Sequence, residues 1–218
     1  MRRAGGTRED GAALVELAIL LPIIIALAFG IIEFGNAWGN KLKVETAARA
    51  GARVGSSLGN DRYADYNILQ NVKAAVADIG PSNIAYVTVY KVTDANGAIP
   101  IGCSGSSPSS QTGLCNVYTG SQLGSLQQSA FTGSTSCGAG SPDAAWCPTT
   151  RQDIQSLGTD YVGVWVKANT PSITGFFGRL IGMQSQAVMR IEPCSKCCIG
   201  SGGRRTSRAS SWSSPRSC

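Results

Sequence analysis

The feature that most constrains this chain is an apolar run near its start, in which residues 12–32 include a single charged side chain, Glu16. A helix of these 21 residues would be roughly 30 Å long, which is the thickness of the hydrocarbon core of a bilayer. Arginines at positions 2, 3 and 8 precede the run, and the positive-inside tendency therefore puts the short N-terminus in the cytoplasm. The sequence predicts a single-pass protein of the cell membrane, with a spanning helix over residues 12–34 and an extracytoplasmic C-terminal part.

Two familiar kinds of segment explain this run only in part. A secretory signal would be cleaved after the Ala-Leu-Ala sequence at 26–28, before Phe29, yet the apolar run continues to Ile32 and contains a charge. A plain uncleaved anchor explains the length, but it gives Glu16 no purpose, and an acid costs about 2.5–3.5 kcal/mol at the bilayer centre.

A third interpretation depends on spacing, because Glu16 stands five residues after Gly11. The arrangement resembles the class III signal of type IV pilins and pseudopilins, in which a prepilin peptidase cuts after the glycine on the cytoplasmic side. The resemblance implies a mature chain that begins at Ala12 and keeps its apolar helix, first as a membrane anchor and later as a filament-core helix. Glu16 would then pair with the new α-amino group of a neighbouring subunit. Since half of such a pair is costly in apolar surroundings, pairing would favour assembly in one register.

The helix is expected to continue out of the bilayer, because residues 33–55 contain no proline and are rich in helix-forming residues. We predict that this extracytoplasmic continuation, residues 35–58, ends near Ser57. Small residues recur at intervals of four, which puts each set on one helix face and allows close approach of another element. The two sets are Gly35 and Gly39, and Ala47, Gly51 and Gly55. Either the protein's own sheet or another subunit could pack there.

Three sequence segments together resemble the TadE-like family, a minor pilin or pseudopilin class of tight-adherence (Flp-type) pilus systems. They are "GAALVELAILLPIIIALAFGIIEFG", "AARAGARVG" and "SQAVMRIEP". The resemblance covers residues 11 to about 58 and returns at 184–193, with one departure at Leu17, where the family often has an aromatic residue. It implies a prepilin peptidase, other pilin or pseudopilin subunits and membrane lipid as partners. The implied role is assembly of Flp pili, which serve surface adhesion, either within the filament or as its primer.

Residues 59–193 read as a small extracytoplasmic domain of α+β class. Residues 60–80 have apolar side chains at helical spacing and end at a Gly-Pro stop signal. Segments rich in β-branched and aromatic residues follow at 83–94, 160–170 and 183–193. We therefore predict that the long N-terminal helix packs on a small antiparallel sheet.

An insertion at residues 95–150 interrupts this domain. No charged residue lies between Ala95 and Pro142, and small polar residues dominate, which favours surface loops over core. The insertion contains Cys103, Cys115, Cys137 and Cys147. Outside the cytoplasm, four thiols in one segment predict two disulfides, and three pairings are open.

The C-terminal segment 194–218 holds five of the six net positive charges of the chain, on Ser/Gly-rich sequence. Such a basic, low-complexity tail is expected to be disordered, and it gives no folded patch for nucleic acid. Disulfides within the tail or free thiols are favoured over a zinc site, because the chain has no histidine. The cysteines concerned are Cys194, Cys197, Cys198 and Cys218. No metal or cofactor is expected.

The absence of histidine also argues against catalysis, because it removes the usual general base near neutral pH. Asp143, Asp153 and Asp160 are read as surface residues of loops and caps, so no enzyme activity is predicted. The predicted organisation is a leader at 1–11, the two helix parts, the α+β domain and the tail. The competing function is a membrane-anchored extracytoplasmic binding domain, unrelated to pili, whose disulfide-restrained loops form the recognition surface.

Overall fold

The computed structural model describes residues 8–93, 96–131, 137–154, 158–175 and 178–193 of the chain. Their helices are α1 (Arg8–Leu58), α2 (Ala64–Ala75) and α3 (Gly120–Ser125), and their strands are β1 (Ile84–Lys91), β2 (Cys115–Thr119), β3 (Tyr161–Pro171) and β4 (Leu180–Arg190). Single 3₁₀ turns lie at Pro81–Asn83, Gln128–Ala130 and Pro148–Thr150. The predicted α+β class, with a long N-terminal apolar helix and two disulfides, is confirmed.

Helix α1 is continuous over 51 residues and consists of two different halves. Residues 11–32 are exposed almost throughout, whereas buried side chains recur from Glu33 onward, because there the domain packs against the helix. Pro22 lies inside the exposed half, where a missing backbone hydrogen bond is tolerated in membrane helices. The helix ends at Leu58, close to the end predicted from the sequence.

The sheet has four strands in the order β2-β1-β3-β4, and every neighbouring pair is antiparallel. β3 and β4, each of 11 residues, form a hairpin in which Tyr161 faces Arg190 at the open end and Pro171 faces Leu180 next to the turn. β1 lies along the other side of β3, with Val89 opposite Val164. The predicted antiparallel sheet is therefore present, with one strand more than the sequence indicated.

One face of the sheet forms the main core with α2 and the second half of α1. Alternate residues of β1 and β3, among them Val87 and Val164, point toward the helices and are fully buried. The opposite face carries a smaller cluster around Tyr90 and Trp165. Gly163 is required there, because a Cβ at this position would lie 2.1 Å from a ring carbon of Tyr90.

The insertion at 95–150 is more than surface loops, so that prediction was wrong. It supplies β2 as an edge strand, and it buries large side chains in the main core. These are Tyr118, Leu123, Phe131 and Trp146. Residues 95–142 contain no charged side chain to desolvate, so a few aromatic and aliphatic residues among many small ones suffice to attach the insertion to the sheet.

Candidate functional site

The Gly11–Ala12 bond and Glu16 lie in the first turns of the exposed half of α1. A side chain at Gly11 would meet nothing within 4 Å, and Ala12 and Glu16 are exposed. Positions 12 and 16 are four apart and therefore lie one above the other on the same helix face. The structure thus presents the glycine, the first residue after it and the carboxylate together on an open surface.

The surface around these residues is apolar and open over a membrane-length stretch. Within the described residues, α1 is the helix that could cross a membrane by length and composition. Its most apolar 18-residue window has a mean hydropathy of 2.7, and none of that window is buried. A shallow groove runs along one face from Pro22 to Gly35, with Ala26 and Gly30 at its base. This helix fits a single-pass membrane anchor, and its small residues would admit a second helix.

The two sets of small residues on α1 have different surroundings. A Cβ at Gly51 would lie 2.9 Å from a methyl of Val72, and one at Gly55 would lie 3.0 Å from Ile68. Ala47 is also fully buried in the main core. Ala47, Gly51 and Gly55 therefore pack against the protein's own domain.

Gly35 and Gly39 lie elsewhere on the helix and face open space, because no atom lies within 4 Å of a Cβ built at either residue. Gly35 continues the groove of the exposed half. Of the two sets, this one is available to another molecule.

Glu33, which was not among the predicted site residues, lies where the exposed half of α1 meets the half that packs on the domain. Its carboxylate connects the helix to the domain at this point. Glu33 is only 1% exposed, and it accepts hydrogen bonds from the backbone N–H groups of Ile173 (3.1 Å) and Thr174 (2.9 Å). The hydroxyl of Thr174 donates to the same carboxylate at 3.1 Å. We call this arrangement the Glu33 clamp. The available sequence signal was an acid standing directly at the end of the apolar run, where it needs partners.

The four insertion cysteines form two disulfides, Cys103–Cys115 and Cys137–Cys147. The first lies buried on the sheet face away from the helices, beside Tyr90 and Trp165. Each closes a short loop within the insertion, the first at the start of the edge strand β2 and the second beside Trp146.

A buried polar cluster holds the insertion against α2. Asp65 and Arg151 form an ion pair at 2.5 Å with both side chains fully buried. The Asp65 carboxylate also accepts from the Tyr118 hydroxyl at 2.7 Å and from the Asn116 amide at 2.8 Å. The Arg151 guanidinium stacks 4.1 Å from the ring centre of Trp146. Burial, followed by the negative charge of Asp65, raises the pKa of Tyr118 well above its ordinary value, so its hydroxyl remains a donor.

The carboxylates read as surface residues have different environments. Asp143 is fully buried, so the surface prediction was wrong for this residue. Burial raises its pKa, and the hydroxyl of Ser141, which donates to it, opposes that rise. Asp160 is largely buried in an ion pair with Lys91 at 2.9 Å, and Asp153 is partly exposed.

A metal site is not formed by the residues that the structure describes, among which no three Cys, Asp or Glu side chains are grouped to hold an ion. The four tail cysteines, predicted to be in disulfides or free, lie outside the described residues, as does most of the predicted leader. Their predicted roles stay predictions.

Comparison with known protein families identifies part of α1. Residues 11–53 match a family model described as TadE-like protein. The resemblance inferred from the residues is thus confirmed over this segment, which is the exposed half of α1 and most of the half that packs on the sheet. No curated protein and no solved structure matches the chain.

Proposed function

Because residues 11–53 are TadE-like, we propose that this protein is a minor pilin-like, or pseudopilin, structural subunit of a tight-adherence Flp-type pilus. It is inserted by α1, trimmed at Gly11–Ala12 by a prepilin peptidase and assembled with like subunits. It acts in pilus assembly and surface adhesion, and it has no enzymatic activity. The observation that carries the proposal is the family-matched helix whose first half exposes an apolar face with the glycine and carboxylate at its N-terminal end.

Processing would convert this end of α1 into an assembly contact. Cleavage before Ala12 creates an α-amino cation on a surface whose other exposed side chains, such as Leu14 and Val15, are apolar. A cation in such surroundings needs a counter-ion, and the Glu16 carboxylate of a neighbouring subunit supplies one. The resulting pair would set the axial register of packed helices, while Gly35 and Gly39 leave room for their close approach.

The competing function, a membrane-anchored binding domain unrelated to pili, has less support. Its recognition surface was expected on the disulfide-bearing insertion, but much of that segment is core and edge strand.

The N-terminal residue of the mature protein, isolated from membranes of the producing cell, is the decisive measurement. We expect Ala12. A chain that begins at Phe29 would identify a cleaved secretory signal, and an intact Met1 would identify a plain anchor; either result contradicts the proposal. A Gly11→Val variant provides the control, because it removes the glycine that the peptidase needs without adding charge, and it should retain the leader.

A further inference from the structure

The β3–β4 hairpin runs along α1 toward the membrane-spanning half of the helix. At the open end of the hairpin, Ser56 donates through its hydroxyl to the carbonyl of Arg190 at 2.5 Å. At the turn, Glu33 accepts the backbone N–H groups of Ile173 and Thr174. These contacts are separated by 23 residues of helix, or about 35 Å at the α-helical rise. The turn is therefore the end of the domain nearest the membrane.

The Glu33 clamp lies at the outer boundary of the bilayer if α1 spans it. Glu33 follows Ala12 by 21 residues, about 32 Å of helix, which is close to the thickness of the hydrocarbon core. Directly beyond it, Phe34 and Trp38 are exposed and stacked, with ring centroids 6.2 Å apart. Aromatic side chains collect at the membrane–water interface, so this pair indicates the same depth.

The hairpin end presents large aliphatic side chains at that depth. Ile173 is 61% exposed in the turn, and Leu180 is 63% exposed at the first residue of β4. Leu180 also lines an open, mostly apolar cleft of about 370 Å³ between β4 and α1, whose helix side is formed by Glu33, Phe34 and Ala37. Exposed apolar side chains of α1 and of the hairpin thus lie on either side of one cleft.

We propose that Ile173 and Leu180, at the two described ends of the β3–β4 turn, form a second membrane contact and insert into the interfacial region of the outer leaflet. The neighbouring Arg179 is exposed and long enough to reach lipid phosphate while its stem stays in the apolar layer. The Glu33 clamp binds the backbone N–H groups of Ile173 and Thr174 and so holds this part of the turn against α1. With α1 as one contact and the turn as the other, the domain is held in one orientation on the bilayer. The inference goes beyond the proposed function and depends only on α1 spanning the membrane.

Depth measurement by spin labelling tests this contact on the full chain in vesicles of phosphatidylethanolamine and phosphatidylglycerol. A nitroxide is attached through a keto amino acid, which avoids the native cysteines, at Ile173 or at Leu180. Ile24 gives the bilayer reference. Ile101, an isoleucine that is 99% exposed, and Tyr161, at the other end of β3, are the aqueous controls. Intact disulfides, checked by mass, show that each labelled protein has folded.

We expect labels at Ile173 and Leu180 to be more accessible to oxygen than to a water-soluble nickel chelate, as at Ile24, with the reverse order at both controls. Any other result at either turn position overturns the inference. Accessibility like that of Ile101 would place the turn in water, and low accessibility to both reagents would show that another protein surface covers it. Because the measurement needs no pilus machinery, its failure would leave the proposed function standing. An aqueous signal at Ile24 would contradict both the anchor and the contact.

Discussion

Glu16 is a charged side chain among exposed apolar ones. Its replacement should therefore change the contacts between subunits and not the fold of a single subunit. We expect Glu16→Ala to leave membrane insertion intact and to reduce the yield of sheared pili at least tenfold. The physical reason is that the α-amino group of a neighbouring subunit would then stay unpaired in apolar surroundings. Carbonate extraction measures insertion, and immunoblotting of the sheared fraction measures assembly.

The matched control is Glu45→Ala on the same helix. Glu45 pairs with Arg49 of its own chain at 2.5 Å in a partly exposed position, so its removal should change neither readout appreciably. Normal pilus yield from the Glu16 variant would refute the pairing mechanism.

Asp143 makes stability depend on pH in a direction opposite to that of a salt-bridged acid. Its folded-state pKa is raised above the ordinary value of 3.8, chiefly by burial. As pH rises past 3.8, the unfolded chain therefore loses this proton before the folded chain does, and the contribution to stability falls until the folded-state pKa is passed. Relative to the parent protein, Asp143→Asn should gain stability as the pH rises from 3.8 toward neutrality.

Urea unfolding across that pH range, in detergent, measures the difference. Ser141→Ala is the informative companion, because loss of the hydroxyl that lowers the pKa of Asp143 should steepen the pH dependence. A difference between Asp143→Asn and the parent that stays constant with pH would contradict the assignment.

At the scale of elements, the glycines of α1 are of two kinds. Some are needed because the domain packs closely against them, and others face open space. A Cβ at Gly51 would approach Val72 and Val164 at 2.9 and 3.1 Å, whereas one at Gly39 meets nothing. Gly51→Ala should therefore lower the free energy of unfolding by about 1–2 kcal/mol, because overpacking outweighs the gain in helix propensity. Gly39→Ala should be neutral or stabilising by up to about 1 kcal/mol.

The same two variants separate folding from assembly. If the open face of Gly39 is a subunit contact, Gly39→Ala lowers pilus yield without loss of stability, as measured by chemical unfolding in detergent. Unchanged yield would exclude that face from the contact, and an equal loss of stability in both variants would contradict the packing described for Gly51.

Elements with long, regular patterns were predictable from the sequence, and those that depend on distant partners were not. The apolar run and proline-free continuation predicted α1 to within a residue or two of its end at Leu58, and β-branched alternation predicted β3. β2 was missed because its five residues lie within Gly- and Ser-rich sequence. The ion pair of Asp65 with Arg151 joins residues 86 apart, and nothing local signals it.

At the scale of the whole molecule, the chain divides by environment at Glu33. Before it, α1 offers apolar surface to lipid or to other helices; after it, the same helix is part of a protein core. The spacing of Gly11 and Glu16 is visible in the sequence, and the structure adds that both residues are exposed; their roles stay predictions. The Glu33 clamp was not predictable, since its donors are backbone amides about 140 residues away.

The Glu33 clamp should couple the membrane-spanning half of α1 to the domain through the β3–β4 turn. In Glu33→Gln, one acceptor oxygen is replaced by a donor that faces the N–H groups of Ile173 and Thr174, so charge-assisted hydrogen bonds are lost. Such bonds contribute about 1.5–3 kcal/mol, and amide exchange at the turn should accelerate roughly ten- to hundredfold. Hydrogen–deuterium exchange on the protein in detergent measures this directly.

Exchange at Val164, in the middle of β3, should stay as in the parent, because the sheet core does not depend on the clamp. Glu45→Gln should leave the turn unaffected. If the turn exchanges equally fast in the parent and the Glu33 variant, this carboxylate does not hold the turn against α1.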